Sequence, residues 1–337
     1  MSMIKVGLIG AGKMGISHLA ILGMHPDVEL VGVADQSTMV LDVIRKLTHF
    51  KPYSDYRNMM EQERPDAVVV AAPTRLHEPL VQELVDSNIH VFVEKPFCMH
   101  TSKGRQLVNA VKEKRLVNQV GYHNKFMGTF NEAKRILDGG YIGSIQHFSG
   151  DMNGPVVIKK KDGTWRSKPE EGGGCLMDYA AHLIDLLGYL IAPLDTILGA
   201  DLLSYYSGHV EDAVYCLLVS RNGIHGNINV NWSDDAYRKM STAVTIDGTL
   251  GKIIVDTTEI KVHFRTDNCP SPYVKGWNVC HINELAPPVS FYLRGEEYSA
   301  QMDKFINAVS GKSPNDINTF ETALHTDLLI EKIKNYN

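Results

Sequence analysis

The stretch Lys5-Val6-Gly7-Leu8-Ile9-Gly10-Ala11-Gly12-Lys13-Met14-Gly15 decides how this chain is read. Its apolar half, with Val6, Leu8 and Ile9, suits a buried parallel strand. Its second half is Gly-x-Gly-x-x-Gly. Gly10 permits a tight turn after the strand, Gly12 has no side chain to hold a phosphate off the backbone, and Gly15 lets the next helix pack on the sheet. Glycine-rich turns also arise for packing alone. A second apolar run, Val28 to Asp35, ends in an acid twenty residues past Gly15. A carboxylate there can bind the hydroxyls of an adenosine ribose. Together the two features predict a dinucleotide site formed by Gly10, Gly12, Lys13, Met14, Gly15, Asp35 and Gln36. NAD is expected rather than NADP, because Asp35 repels a 2′-phosphate and Gln36-Ser37 supply no cation to neutralise one.

Outward from this stretch, strand-like runs at Ile4–Ile9, Leu30–Ala34, Ala67–Ala71, His90–Val93 and Val117–Gly121 alternate with helical patterns at Ser17–Met24, His77–Ser87 and Ser102–Lys114. Leu80, Val81, Leu84 and Val85 mark one helix face. Such alternation predicts an α/β domain with a doubly wound parallel sheet. Near residue 122 the pattern changes. A helix at Phe130–Leu137 stops at Asp138-Gly139-Gly140. Strand-like runs follow at Ile145–Asp151, Thr196–Leu203, Ala213–Ser220, Gly226–Asn231, Thr242–Ile246 and Lys252–Asp256, several separated by turn residues such as Asn222-Gly223 and Asp247-Gly248, and helices return after Glu296. The expected organisation is a dinucleotide-binding domain over 1–122 and an α+β domain over 123–337 with an open antiparallel sheet.

Length supports two domains, since 337 residues exceed what one core usually fills. A hydrophobic content of 44%, a charged content of 22% and a net charge of −5 are those of an ordinary globular protein. The short Lys159-Lys160-Lys161 run makes no basic stripe, so nucleic acid is not an expected partner. No apolar run reaches the ~18 residues of a membrane span, and no signal-peptide pattern precedes Ile4. Five cysteines, an odd number without C-x-x-C, read as reduced packing residues of a cytoplasmic protein. Nothing has the spacing of a zinc site, and no metal is expected.

Three motifs can carry chemistry. Val93-Glu94-Lys95-Pro96 ends a strand, and ligands of open α/β sheets bind outside strand carboxyl ends. Lys95 is either directed at the cofactor or a surface lysine before a turn. In Gly172-Gly173-Gly174-Cys175-Leu176-Met177-Asp178-Tyr179-Ala180-Ala181-His182, a glycine run opens a helix with Asp178 and His182 at i, i+4. That pair is either a base with its orienting carboxylate or a helix ion pair, with Asp185 a cap or solvated acid. In Ala72-Pro73-Thr74-Arg75-Leu76-His77, Thr74 either meets cofactor phosphates or ribose or caps the next helix.

These motifs in this order, with Trp165-Arg166 leading to the glycine run and Glu297 to Val309 near the end, resemble the glucose–fructose oxidoreductase / inositol dehydrogenase / rhizopine catabolism family over nearly the whole length. The resemblance implies a Rossmann domain followed by a domain whose open sheet is often used for oligomer contacts. It also implies hydride exchange between nicotinamide and a hydroxyl-bearing carbon of a sugar, cyclic polyol or nucleotide sugar. It gives Lys95, Asp178 and His182 as catalytic residues, and adds Pro73, Thr74, His77 and Glu94 to the cofactor set. Lys125, Trp165 and Arg166 become substrate candidates. Many family members carry arginine where Asn124 and Lys125 stand, and lysine lacks arginine's bidentate fork.

The expected function is therefore an NAD-dependent polyol or sugar dehydrogenase. The alternatives are a nucleotide-sugar 3-dehydrogenase or ketoreductase and, from another class, a non-catalytic sugar- or NAD-sensing regulator. A homodimer or homotetramer through the second domain's sheet is also expected, because Ile228, Val230 and Trp232 share a strand face that needs cover.

Overall fold

The computed structural model describes residues 3–160, 163–285, 288, 289 and 291–336. Contacts divide it into two compact units, Met1–His123 with Pro288–Leu324 and Asn124–Pro287 with His325–Asn337. Among the described residues, no helix is long and apolar enough to cross a membrane.

The first unit is built on β1 (Ile4–Ile9), β2 (Val28–Ala34), β3 (Pro52–Tyr53), β4 (Ala67–Val70), β5 (His90–Val93) and β6 (Asn118–Val120). All pairings are parallel, in the order β3-β2-β1-β4-β5-β6. The strand order reverses between β1 and β4, which is where doubly wound sheets bind ligands. Ala67-Val68-Val69-Val70 is wholly buried, as expected of a strand covered on both faces.

The division of the chain differs from the simple one at residue 122, because 288–324 returns to the first unit. The cause is visible in the helix Glu296–Val309. Met302, Phe305 and Ile306 fall at i, i+3, i+4 and enter the same core as Val6, Leu8, Val69 and Phe92. Phe92 and Phe305 meet edge to face, with ring centroids 5.9 Å apart. Asn118 Oδ1 accepts the Phe320 amide at 2.7 Å, and Val120 N–H donates to Asn318 O at 2.8 Å. The free side of β6 is thereby tied to the returning chain.

The second unit carries β7 (Ile145–Asn153), β8 (Leu194–Leu203), β9 (Ala213–Ser220), β10 (His225–Asn231), β11 (Ser241–Gly248), β12 (Gly251–Asp256), β13 (Glu259–Phe264) and β14 (Gly276–His281). Their order is β14-β13-β12-β11-β7-β10-β9-β8. The sheet is mixed rather than antiparallel throughout, since β7 and β10 run parallel from His147↔His225 to Asn153↔Asn231. The chain leaves β7 and makes a helix and the β8–β9 hairpin before β10 returns beside β7. That long crossover is what a parallel pair requires.

Helix Ala181–Leu190 covers one face, so close to β7 that a Cβ on Gly150 would lie 2.9 Å from Leu183. Ile228, Val230 and Trp232 are on this covered face and fully buried, so they do not supply the apolar surface expected of them. The opposite face does: Leu217 (56%), Trp277 (57%) and Val279 (53%) stand exposed on it with Ile254.

Candidate active site

The first unit shapes a dinucleotide cradle at the ends of β1 and β2. Gly10 has φ +94°, and a Cβ there would lie 2.6 Å from the Ala71 carbonyl oxygen, so only glycine fits. Gly12 precedes the helix Lys13–Met24, and a Cβ on it would meet nothing within 4 Å. The start of that helix therefore opens onto unfilled space, where its first N–H groups suit an anion. Asp35 ties the turn together: Oδ2 accepts the Ala11 amide at 2.6 Å and Oδ1 that of Ser37 at 2.7 Å. Each oxygen keeps a further lone pair for a ribose hydroxyl. Lys13 and Gln36 are exposed, Met14 is half-buried and Gly15 is buried beneath.

Pro73 is exposed and Thr74 half-buried, on a short 3₁₀ turn over Thr74–Leu76. Neither this turn nor the helix His77–Asp86 has a side-chain cap, so capping does not account for Thr74. His77 is buried and serves as a clamp. Its Nδ1 lies 2.8 Å from Pro96 O and its Nε2 3.0 Å from Ala72 O, joining the turns after β4 and β5. Burial lowers its pKa against the pull of those carbonyls. With a protein carbonyl against each ring nitrogen, one of them taking the ring N–H, His77 faces the loops it holds.

Glu94 ends β5. His18, fully buried, places Nε2 2.6 Å from Glu94 Oε1. The carboxyl lies over Gly121, where a Cβ would come within 3.0 Å of it. Burial acts to raise this carboxyl, but the hydrogen bond and charge of His18, with Lys95 beyond, hold it below the usual range. Lys95 follows, half-buried. Nearby His123, stacked on Tyr298 with centroids 4.8 Å apart, is pushed down to about 4 by burial. Arg294 lies over the Tyr298 ring and donates to Ser17 Oγ at 3.4 Å. Sequence reading missed His18, His123, Arg294 and Tyr298. Of these only His18, three residues past Gly15 on the same helix, had a usable signal.

In the second unit the glycine run opens a π-helical turn, Leu176–Ala180, continuous with the helix Ala181–Leu190. Such turns are frequent at functional sites. Asp178 and His182 are both buried there. Asp178 Oδ2 accepts Arg166 Nε at 3.0 Å, and the Arg166 guanidinium lies 4.5 Å from the Trp165 ring centroid. The structure thus joins Trp165, Arg166 and Asp178, three residues read separately from the sequence.

Asp185 is buried rather than solvated. Lys125, also buried, donates from Nζ to Asp185 Oδ1 at 2.7 Å, and burial nonetheless raises the Asp185 carboxyl against that lysine. The Lys125 ammonium is held by this carboxylate, which weighs against its expected role on substrate.

The family model described as an oxidoreductase family with an NAD-binding Rossmann fold matches residues 4–122, and that of its C-terminal domain matches 130–254. Levoglucosan dehydrogenase of Pseudarthrobacter phenanthrenivorans is 24% identical, covering 98% of this chain and 96% of that protein. The NAD⁺-dependent scyllo-inositol 2-dehydrogenase of Bacillus subtilis is 28% identical over 61% of this chain and 57% of its own length. Among solved structures, the WlbA dehydrogenase of Bordetella pertussis with NADH and UDP-GlcNAcA aligns with a TM-score of 0.80 and 24% identity, covering 99% of this chain and 96% of that one. Levoglucosan dehydrogenase with NADH and levoglucosan aligns at 0.86 and 22%, covering 98% and 96%. With both domain models of the family matched, the chain belongs to the Gfo/Idh/MocA family of oxidoreductases, and its first unit is an NAD-binding Rossmann domain.

Proposed function

We propose that this protein oxidises a secondary hydroxyl of a sugar or cyclic polyol with NAD, and runs the reverse reduction. The observation that carries the reading is Glu94, kept charged by His18 at the carboxyl end of β5 on the NAD-binding sheet, immediately before Lys95. A half-buried carboxyl with a perturbed pKa at that end of such a sheet is a mark of a functional site. The family's motif residues are all present: Lys95, Asp178 and His182. The relatives named above act on an anhydrosugar and an inositol.

Bound NAD supplies the ring that accepts the hydride. Gly10, Gly12 and Asp35 hold the cofactor's pyrophosphate and adenosine ribose, with Thr74 beside them. His182 takes the hydroxyl proton during oxidation and returns it during reduction. Asp178, anchored by Arg166, favours the protonated imidazole. Lys95 donates a hydrogen bond to the reacting oxygen. We further propose a cytoplasmic enzyme that pairs with copies of itself through the sheet face bearing Leu217, Ile254, Trp277 and Val279, since these residues leave apolar surface open.

Purified protein with NAD and, in separate reactions, scyllo-inositol, myo-inositol, levoglucosan or a UDP-linked uronic acid tests the reading through absorbance of reduced nicotinamide. Turnover of an unlinked sugar or polyol supports it. Turnover of the UDP-sugar alone moves the assignment to a nucleotide-sugar dehydrogenase. Tight NAD binding without turnover of any of them assigns a sensor instead.

A further inference from the structure

The loop 204–212 between β8 and β9 sends two neighbouring carboxylates into the second unit, and they have different tasks. Asp212 holds the loop itself. It accepts the amides of Tyr205, Tyr206 and Ser207 at 2.7, 2.7 and 2.8 Å, the Ser207 hydroxyl at 2.6 Å and the Trp232 indole N–H at 2.7 Å. Glu211 is spent on a helix start. Its backbone carbonyl accepts the Cys175 N–H at 3.0 Å, and its Oε1 accepts the Leu176 N–H at 2.8 Å.

A helix begins with N–H groups that have no partner inside it, and usually a preceding Ser, Thr, Asp or Asn takes one of them. Cys175, at that position here, makes no side-chain cap. Glu211, 35 residues past Leu176, takes two instead. Gly174 makes this possible. Its φ is +106°, and a Cβ on it would overlap Oε1 of Glu211. The glycine run therefore does more than bend the chain, because its last member vacates the space the carboxyl fills. Burial raises the Glu211 carboxyl, and the Leu176 amide works against that.

We propose that Glu211 is a positioning residue for catalysis: by accepting the Cys175 and Leu176 N–H groups it fixes the start of the helix that carries Asp178 and His182. The inference rests on the reading of His182 as the proton-transfer group. Asp178 donates its own N–H to Gly174 O at 3.0 Å, so the turn Glu211 holds is the turn that places Asp178. His182 follows about one turn later on a continuous helix. A shift of the first turn is thus carried to both side chains.

Two measurements on the full-length protein separate this proposal from the reading beneath it. Hydrogen exchange of peptides spanning 174–182 reports the cap without any substrate. The rate constant kcat per NADH-binding site, with whichever sugar or polyol is turned over, reports its consequence. Glu211→Ala should exchange faster across 174–182 and lose roughly tenfold or more in kcat, with NADH affinity unchanged, because small misplacements of reacting groups are costly. Glu211→Gln keeps a carbonyl acceptor and should retain protection and kcat. Should Glu211→Ala not fold, Glu211→Asp, one methylene short of Leu176, takes its place in both measurements. Unchanged protection overturns the proposal. So does lost protection with normal kcat per site, which is what a merely structural cap gives, and so does a Gln variant as poor as Ala. His182→Ala with normal kcat overturns the reading of His182 and leaves the exchange result standing.

Discussion

Each unit sets a carboxylate against a buried nitrogen at nearly the same distance, 2.6 Å for the half-buried Glu94 and His18 and 2.7 Å for the buried Asp185 and Lys125, yet the two carboxyls shift in opposite directions. Burial opposes ionisation in both. Around Glu94, the hydrogen bond from His18 is joined by the charge of Lys95, and together they win. Around Asp185, Lys125 is the single counter-charge and Oδ2 has no hydrogen-bond partner among the described residues, so burial wins. Contact distance alone therefore does not set the charge state of a buried acid. The first unit keeps a negative charge beside Lys95 at the carboxyl end of β5. The second uses its pair to fasten the turn at 123–126 to the helix bearing His182.

The widest separation between the units should appear in catalysis. His182→Ala should lower kcat by ~10²–10⁴ while NAD binding, a property of the first unit, stays nearly intact. Asp178→Asn should also lower kcat, and the double variant should be little worse than the poorer single one, because residues acting as a unit do not add. The rise of oxidation rate with pH should vanish in His182→Ala. Near-normal kcat with an unchanged pH profile in that variant would falsify the assignment and make Lys95 the leading base.

Next in size is the fastening pair. Lys125→Met leaves Asp185 buried without its counter-charge and should cost about 3–5 kcal/mol of stability, whereas replacing both partners with apolar residues of similar volume should cost far less. Urea denaturation of the three proteins measures it. A Lys125→Met protein as stable as the parent would show that Asp185 is already neutral, sharpening the contrast with Glu94. If the double variant matches the single one, the pair is not the fastening.

The Rossmann unit was legible because its signals are local. Val6 to Gly15 and Val28 to Asp35 encode strand, turn and acid in consecutive residues, and four buried valines or alanines at 67–70 can hardly be anything but a covered strand. The short β3 and the helices Thr38–Leu47 and Tyr56–Glu63 escaped notice, as did β13 and β14, although Glu259–Phe264 alternates inward and outward along its whole length. The parallel β7–β10 pair could not be read, because strand direction depends on where a chain returns and no residue of either strand states it. The same holds for chemistry. Lys95, Asp178 and His182 belong to motifs, but Glu211 and His18 acquire their tasks only from partners 35 and 76 residues away.

A third effect lies in the first unit alone. Asp35 ties the glycine turn through Ala11, and we propose that its charge also meets the adenosine ribose. Like charges at a partly screened site cost about 1–3 kcal/mol, so NAD should be preferred over NADP by roughly ten- to a hundredfold in kcat/KM. Asp35→Ala should narrow that gap, chiefly by weakening NAD, and leave the stability contributed by Lys125 and Asp185 untouched. Parity of the two cofactors in the parent protein contradicts the role given to Asp35.

The smallest effect is the most direct test of the two carboxylates. Glu94 has a folded pKa below its unfolded value, so the stability it contributes is present above about pH 4.3 and is lost as pH falls through the folded value. Asp185 has a folded pKa above its unfolded value, so it binds its proton more tightly in the fold. Its contribution is present below about pH 3.9 and is lost as pH rises through the folded value. The two therefore tilt the stability curve in opposite senses. Glu94→Gln should flatten the acid-side loss, and Asp185→Asn should flatten the loss towards neutrality even where its overall stability is lower, because the slope and not the offset carries the titration. Urea midpoints from pH 3.5 to pH 7 in the parent and both variants give those slopes. If Asp185→Asn leaves the slope towards neutrality unchanged, burial does not raise Asp185 against Lys125, and the two pairs are of one kind.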